Sequence, residues 1–153
     1  MLKFYAISFV IVILDQLSKK IILANMALRD IVEVTPFFDI VHLHNYGAAF
    51  SFLHNAGGWQ RYFLSAISIA VSIALPFYIK KNKHDILLAM GLTLILGGAI
   101  GNLVDRLFLG YVVDFLSLHI DDIFYWPAFN IADSAITLGV ILLIYDALKK
   151  KND

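Results

Sequence analysis

Cysteine is absent from this chain and charge is scarce. Without cysteine there is no disulfide, no thiolate nucleophile and no cysteine-bound zinc, and nothing marks a redox compartment. Charged residues make up 16% of the 153 positions, where soluble domains run near about 25%. The 12 basic and 12 acidic residues cancel, so no cationic excess points to nucleic acid. Proline occurs three times, and neither an internal repeat nor a low-complexity stretch appears before the lysine-rich end. What is present is apolar: 60% hydrophobic and 14% aromatic residues, with a mean hydropathy of +0.78. A chain of this length is expected to form one domain over residues 1–153, and so small a domain cannot hide that much apolar surface from water. A bilayer can take it.

A spanning helix needs about 20 mainly apolar residues. Four segments qualify, roughly 2–23, 62–79, 86–104 and 131–148, with Pro76 expected to bend the end of the second. The first has the polarity of a signal peptide, but no small-x-small site follows closely and the apolar pattern resumes at Ile21, so it reads as a retained span. Compact basic clusters (Lys3; Lys80, Lys81 and Lys83; Lys149, Lys150 and Lys151) put both termini and the 80–85 loop in the cytoplasm. Lys19, Lys20, Arg29, Arg61 and Arg106 then lie toward the other side. Segments of roughly 25–60 and 105–130 fall outside. In the first, Ile31–Val34 and Phe38–His44 alternate and are rich in β-branched residues, which predicts short strands and a small external sheet. In the second, the aromatic run Phe124–Phe129 suits a membrane interface. The fold class expected is therefore an all-α bundle of four transmembrane helices with an external β-sheet platform.

Ionisable groups within or beside spans are costly and usually mark function. Here they gather toward one side. Asp15 lies about 18 Å along the first helix from Lys3, four residues from Lys19, with which it can pair on one face. Gly97 and Gly101 form a close-packing face. Asn102, Asp105 and Arg106 cluster at the end of the third span, where Asp105 and Arg106 can form an interfacial ion pair. Asp114 stands between valine and phenylalanine, with a salt bridge to Arg106 as its structural alternative. Asp133 opens the fourth helix, where the dipole favours a carboxylate and Asn130 can cap. In Asn45-Tyr-Gly-Ala-Ala-Phe50 the small residues, Gly47 among them, let a backbone approach, or make a tight turn. Asp114 and Asp133 share one external loop and hence one membrane face. Two carboxylates meeting in an apolar setting cannot both ionise easily. Such a pair can activate water with one member and protonate a leaving amide with the other.

Five blocks carry a closer resemblance: Asp15-Gln-Leu-Ser-Lys19, Asn45-Tyr-Gly-Ala-Ala-Phe50, Gly97-Gly-Ala-Ile-Gly-Asn-Leu-Val-Asp-Arg106, Val113-Asp-Phe115 and Phe129-Asn-Ile-Ala-Asp133. In this order, on a chain of this size, they resemble the lipoprotein signal peptidase (signal peptidase II) family of aspartic membrane proteases. The resemblance implies a bacterial inner-membrane enzyme without cofactor. It would cut signal peptides from prolipoproteins just before the diacylglyceryl-bearing cysteine, near the outer, periplasmic face. It implies Asp114 and Asp133 as the catalytic dyad. Asp15, Asn45, Gly47, Asn102, Asp105, Arg106 and Asn130 would support or line the site. It implies inhibition by globomycin-like cyclic peptides, contact with membrane lipid and action as a monomer. Tyr46 departs from the small or polar residue, such as threonine, expected at its position.

Two other classes compete. A proton-coupled carrier also uses intramembrane acids, but expects inverted repeats and a midplane site, and neither is seen. An inert scaffold packed through Gly97 and Gly101 leaves the clustering of Asn102, Asp114, Asn130 and Asp133 unexplained. His42 and His44 share a strand face, yet no HExxH motif or third ligand accompanies them, so metalloprotease chemistry is disfavoured. Ser18 and Lys19 are adjacent and do not face each other on a helix, which disfavours a serine–lysine dyad.

Overall fold

The computed structural model describes residues 1–47, 58–120 and 123–152. Four helices and four strands follow in the order α1 (Leu2–Asn25), β1 (Ile31–Thr35), β2 (Phe38–Asn45), α2 (Trp59–Lys81), α3 (Ile86–Phe108), β3 (Val112–Ile120), β4 (Phe124–Tyr125) and α4 (Ile131–Asn152). Ala48–Phe50, part of the second motif, lie outside the described residues.

By length and composition α2, α3 and α4 are long and apolar enough to cross a membrane. Among the described residues three helices meet this criterion, against the four spans expected. α1 matches them in length, but Lys3, Asp15, Lys19 and Lys20 lie along it and composition alone does not mark it as a span. α2 continues past Pro76 to Lys81, and the Tyr5 hydroxyl donates to the Pro76 carbonyl at 3.0 Å. α3 runs a turn further than the hydropathy suggested, to Phe108, so Asp105 and Arg106 are helical and buried.

α3 is the axis of the bundle and packs against all three other helices. Its glycines make this possible. A Cβ on Gly98 would sit 2.3 Å from the Ala132 carbonyl oxygen of α4, and one on Gly97 would sit 2.9 Å from Ile11 Cβ of α1. The helices therefore approach more closely than side chains would allow. Phe4, Ile79, Ala89, Leu92 and Leu96 form an apolar core where α1 begins and α2 ends. At that end Asp85 caps α3, accepting from Leu88 N at 3.2 Å, and Lys150 ties Asp85 to Asp146 of α4.

At the opposite end the sheet β1-β2-β3-β4, antiparallel throughout, lies over the bundle. Ile22, Val113 and Phe115 join it to the end of α1. β1 and β2 match the predicted strands closely. β3 and β4 arise from a segment read only for its acid and its aromatics. β3 is buried on both faces over Val112–Phe115, so it shows no alternation. The phenyl and indole groups of Phe124 and Trp126 are exposed, as an interface anchor requires.

Candidate active site

Asp114 and Asp133 reach the same place by different routes. Asp114 is carried on β3 between buried Val113 and Phe115, and is 3% exposed. Asp133 is in the first turn of α4. Asn130, just before that helix, is bonded to both acids. Its side-chain amide donates to Asp114 Oδ1 at 2.8 Å, and its backbone N–H donates to Asp133 Oδ2 at 3.3 Å. Asn130 Oδ1 accepts from Asp133 N at 2.9 Å. This reciprocal arrangement is a capping box, which satisfies two helix-start donors at once. It also fixes the Asn130 amide, whose NH2 donates most closely to Asp114 and also reaches Asn102 Oδ1 at 3.2 Å and the Val113 carbonyl at 3.3 Å. Asn45 Nδ2 holds the other Asp114 oxygen at 2.9 Å, and Asn102 Nδ2 holds Asp133 Oδ1 at 2.8 Å.

Behind the two acids lies a buried polar layer. Lys19 is 2% exposed and contacts Asp15 Oδ2 at 2.8 Å, Asp105 Oδ2 at 3.0 Å and Asn102 Oδ1 at 3.0 Å. All three ammonium protons are thereby used. Asp15 also accepts from Ala132 N at 2.9 Å, pinning the start of α4 to α1. Asp105 accepts from Val113 N at 3.1 Å and from Gln16 Nε2 at 2.8 Å, anchoring β3 to the helices.

The Asp15–Lys19 pair and the Asn130 cap are as the sequence suggested. Two other expectations fail. Asp105 pairs with Lys19, not with Arg106, since adjacent helical residues point in different directions. Among the described residues Arg106 forms no ion pair with Asp114 either. Its guanidinium donates to the Gly47 carbonyl at 3.1 Å and the Asn102 carbonyl at 3.4 Å, which ties the Asn45–Gly47 turn to α3. Arg61 in turn covers the end of α3, donating to the Arg106 and Leu107 carbonyls. Sequence reasoning saw Lys19 only as a partner for Asp15, and did not single out Gln16. Their contacts with Asp105 and Asn102 come from residues more than eighty positions away, and no local pattern announces them.

Burial pushes the Asp114 carboxyl up to about 7, and the charge of Asp133 adds to the rise. The amides of Asn45 and Asn130 and the Lys19 charge oppose it. Lys19 and Arg106 cancel Asp15 and Asp105 in formal charge, so no net positive charge is left over for a doubly ionised pair. The arrangement suits two carboxyl groups that hold one proton between them.

Two cavities adjoin the acids. One of about 650 Å³ lies among α2, α3 and α4, and is lined mainly by apolar side chains such as Leu64, Val71, Ile95 and Ile136, with Asp133 and Arg106 at its polar end. The other, about 370 Å³, lies on the sheet side and reaches Asp114. Both fall in the size range of ligand-binding pockets.

Two solved membrane enzymes share this architecture. A bacterial membrane enzyme solved in meso at 2.3 Å resolution superposes with a TM-score of 0.88 at 37% identity, over 99% of this chain and 90% of the other. A second, solved in meso at 1.9 Å, gives 0.82 at 38% identity, over 97% and 94%. The family profile described as Signal peptidase (SPase) II matches residues 7–149, and the chain belongs to this family. A lipoprotein signal peptidase of Alteromonas mediterranea is 49% identical over 149 residues, covering 97% of this chain and 81% of that protein. One of Burkholderia thailandensis is 46% identical over 144 residues, covering 94% and 86%. Family membership makes the chain a peptidase and sets aside the carrier and scaffold alternatives.

Proposed function

We propose that this chain removes signal peptides from prolipoproteins by aspartic chemistry, cutting just before the cysteine that carries the diacylglyceryl group. The observation that carries the reading is Asn130, bonded at once to Asp114 and Asp133. Asp133, at the positive end of a helix dipole, is the ionised member. Asp114 keeps the proton. A water between them gives a proton to Asp133 while its oxygen attacks the scissile carbonyl carbon. Asp114 then protonates the departing cysteine nitrogen as the C–N bond breaks. The proton gained by Asp133 returns to Asp114 before the next turnover.

The surrounding residues support this role. Asn45 and Asn102 fix the carboxylates. Asp15, Asp105, Arg106 and Gly47 hold α1, α3, α4 and the β2 turn in register around them. The apolar cavity receives the signal peptide, and globomycin-like cyclic peptides are expected to compete for it.

We read residues 1–153 as one monomeric domain of the bacterial inner membrane in which α1 is a fourth span. Phe9, Val10, Ile13, Leu14 and Leu17 are exposed along it, and its charged Asp15 and Lys19 face inward, as a lipid-facing helix requires. Lys80, Lys81 and Lys149–Lys151 lie at the helix ends away from the dyad, which favours cytoplasmic termini and an outer-face site.

Asp114→Asn and Asp133→Asn are each expected to lower cleavage of a diacylglyceryl-modified prolipoprotein by about a hundred- to ten-thousandfold while the protein stays folded in detergent. Full activity in either variant overturns the aspartic reading.

A further inference from the structure

The second cavity is not used by the chemistry above. It lies between the α1–β1 connection and β2, and Arg29, His44, Asn45, Tyr46, Asp114 and Ala128 line it. Ala128 and the acid pair separate it from the apolar cavity, which Ala128 also lines. The reacting groups thus stand between an apolar chamber at membrane depth and a polar one against the sheet.

The substrate has the same asymmetry. On one side of the scissile bond is an apolar signal peptide; on the other is the modified cysteine, whose acyl chains stay in lipid. After that cysteine comes the start of a water-soluble chain. An apolar chamber stabilises the signal peptide and a polar chamber the residues after the cysteine.

The charge in the polar chamber comes mainly from Arg29. The residue is exposed, has a left-handed backbone at φ 75°, and its N–H donates to the His42 carbonyl at 2.8 Å. Few side chains adopt that conformation without a local reason. Here the paired backbone fixes where the side chain starts. Among the described residues Arg29 makes no ion pair. Its neighbour Asp30 is engaged by the Ala27 N–H at 2.7 Å. His44, stacked on Tyr111 at 3.6 Å, is pushed by burial and by His42 below its ordinary value, so it adds no charge at neutral pH.

We propose that this cavity binds the residues following the lipidated cysteine, with Arg29 reading the charge of the first of them and favouring an acidic side chain. The proposal rests on the aspartic reading and assigns the leaving-group side of the same site. Tyr46, where a smaller residue was expected, forms part of the cavity wall and restricts bulk there.

The test uses three synthetic diacylglyceryl-modified peptides, identical except for aspartate, asparagine or lysine immediately after the modified cysteine. The intact enzyme is expected to cleave them in the order aspartate, asparagine, lysine. The extremes should differ in kcat/KM by about three- to fivefold, the scale of one solvated charge pair. Arg29→Glu should reverse the order, and Arg29→Lys should keep it. Equal rates on all three peptides in the unmodified enzyme overturn the proposal without any variant being needed. So does an order that survives Arg29→Glu. Asp114→Asn is assayed in parallel: if it cleaves all three peptides, the aspartic reading itself has failed, whatever the charge order.

Discussion

At the scale of single residues, the decisive group is Asp114. Its carboxyl is held up to about 7 against an ordinary 3.8, first by burial and then by the Asp133 charge. A pair with one proton is therefore lost as pH rises through about 7, and kcat should show a falling alkaline limb there. Asn45 opposes the rise by donating to the ionised carboxylate. Asn45→Ala should move that limb to higher pH, as a pH–rate profile would show. An unmoved limb would mean that another group controls it. The same shift has a stability consequence. Asp114 favours the folded state fully below the unfolded value near 4, and this contribution is lost as pH rises through about 7. Thermal unfolding in detergent should accordingly show Asp114→Asn gaining on the native protein between pH 4 and pH 8. A constant difference would contradict it. Lys19 is held by other means. Replacing it with methionine leaves Asp15 and Asp105 buried without their cation, which should cost about 3–5 kcal/mol, visible as a large fall in Tm.

At the scale of elements, the geometry of the proposed dyad depends on how closely α3 and α4 approach. Gly98 meets the Ala132 carbonyl, one residue before Asp133, so Gly98→Ala must push the start of α4 outward. Overpacking of this kind costs about 1–3 kcal/mol, and a displacement of the order of 1 Å costs about a hundredfold in rate. A Gly98→Ala enzyme with native Tm and kcat would show that this contact does not set the geometry. The helices were legible in the sequence because long apolar runs need little context. β1 and β2 were legible because their residues alternate and are rich in β-branched side chains. β3 was not, since Val112–Phe115 is buried on both sides and its period disappears. The true end of α3 was also hidden. Asp105 and Arg106 continue the helix because Lys19, Gln16 and Gly47, all distant in sequence, satisfy them. Asp114 stood out through its apolar flanks, and Asp133 only through its place in the same external loop and the family blocks, whereas their geometric link through Asn130 required the fold.

At the scale of the whole molecule, apolar surface faces outward along the helices, while charge is drawn inward to one layer beneath the sheet. That layer is neutral without the dyad, with two cations set against two anions. On the proposed aspartic reading the acid pair therefore supplies its own balance, by keeping a proton. Infrared spectroscopy of the enzyme in detergent reads this directly, through the carbonyl stretch of a protonated carboxyl group in the difference between the native protein and Asp114→Asn. The band should be present at pH 5 and fade with a midpoint near 7. A difference spectrum with no protonated-carboxyl band at pH 5 would show both acids ionised, and would contradict a shared proton as the basis of catalysis.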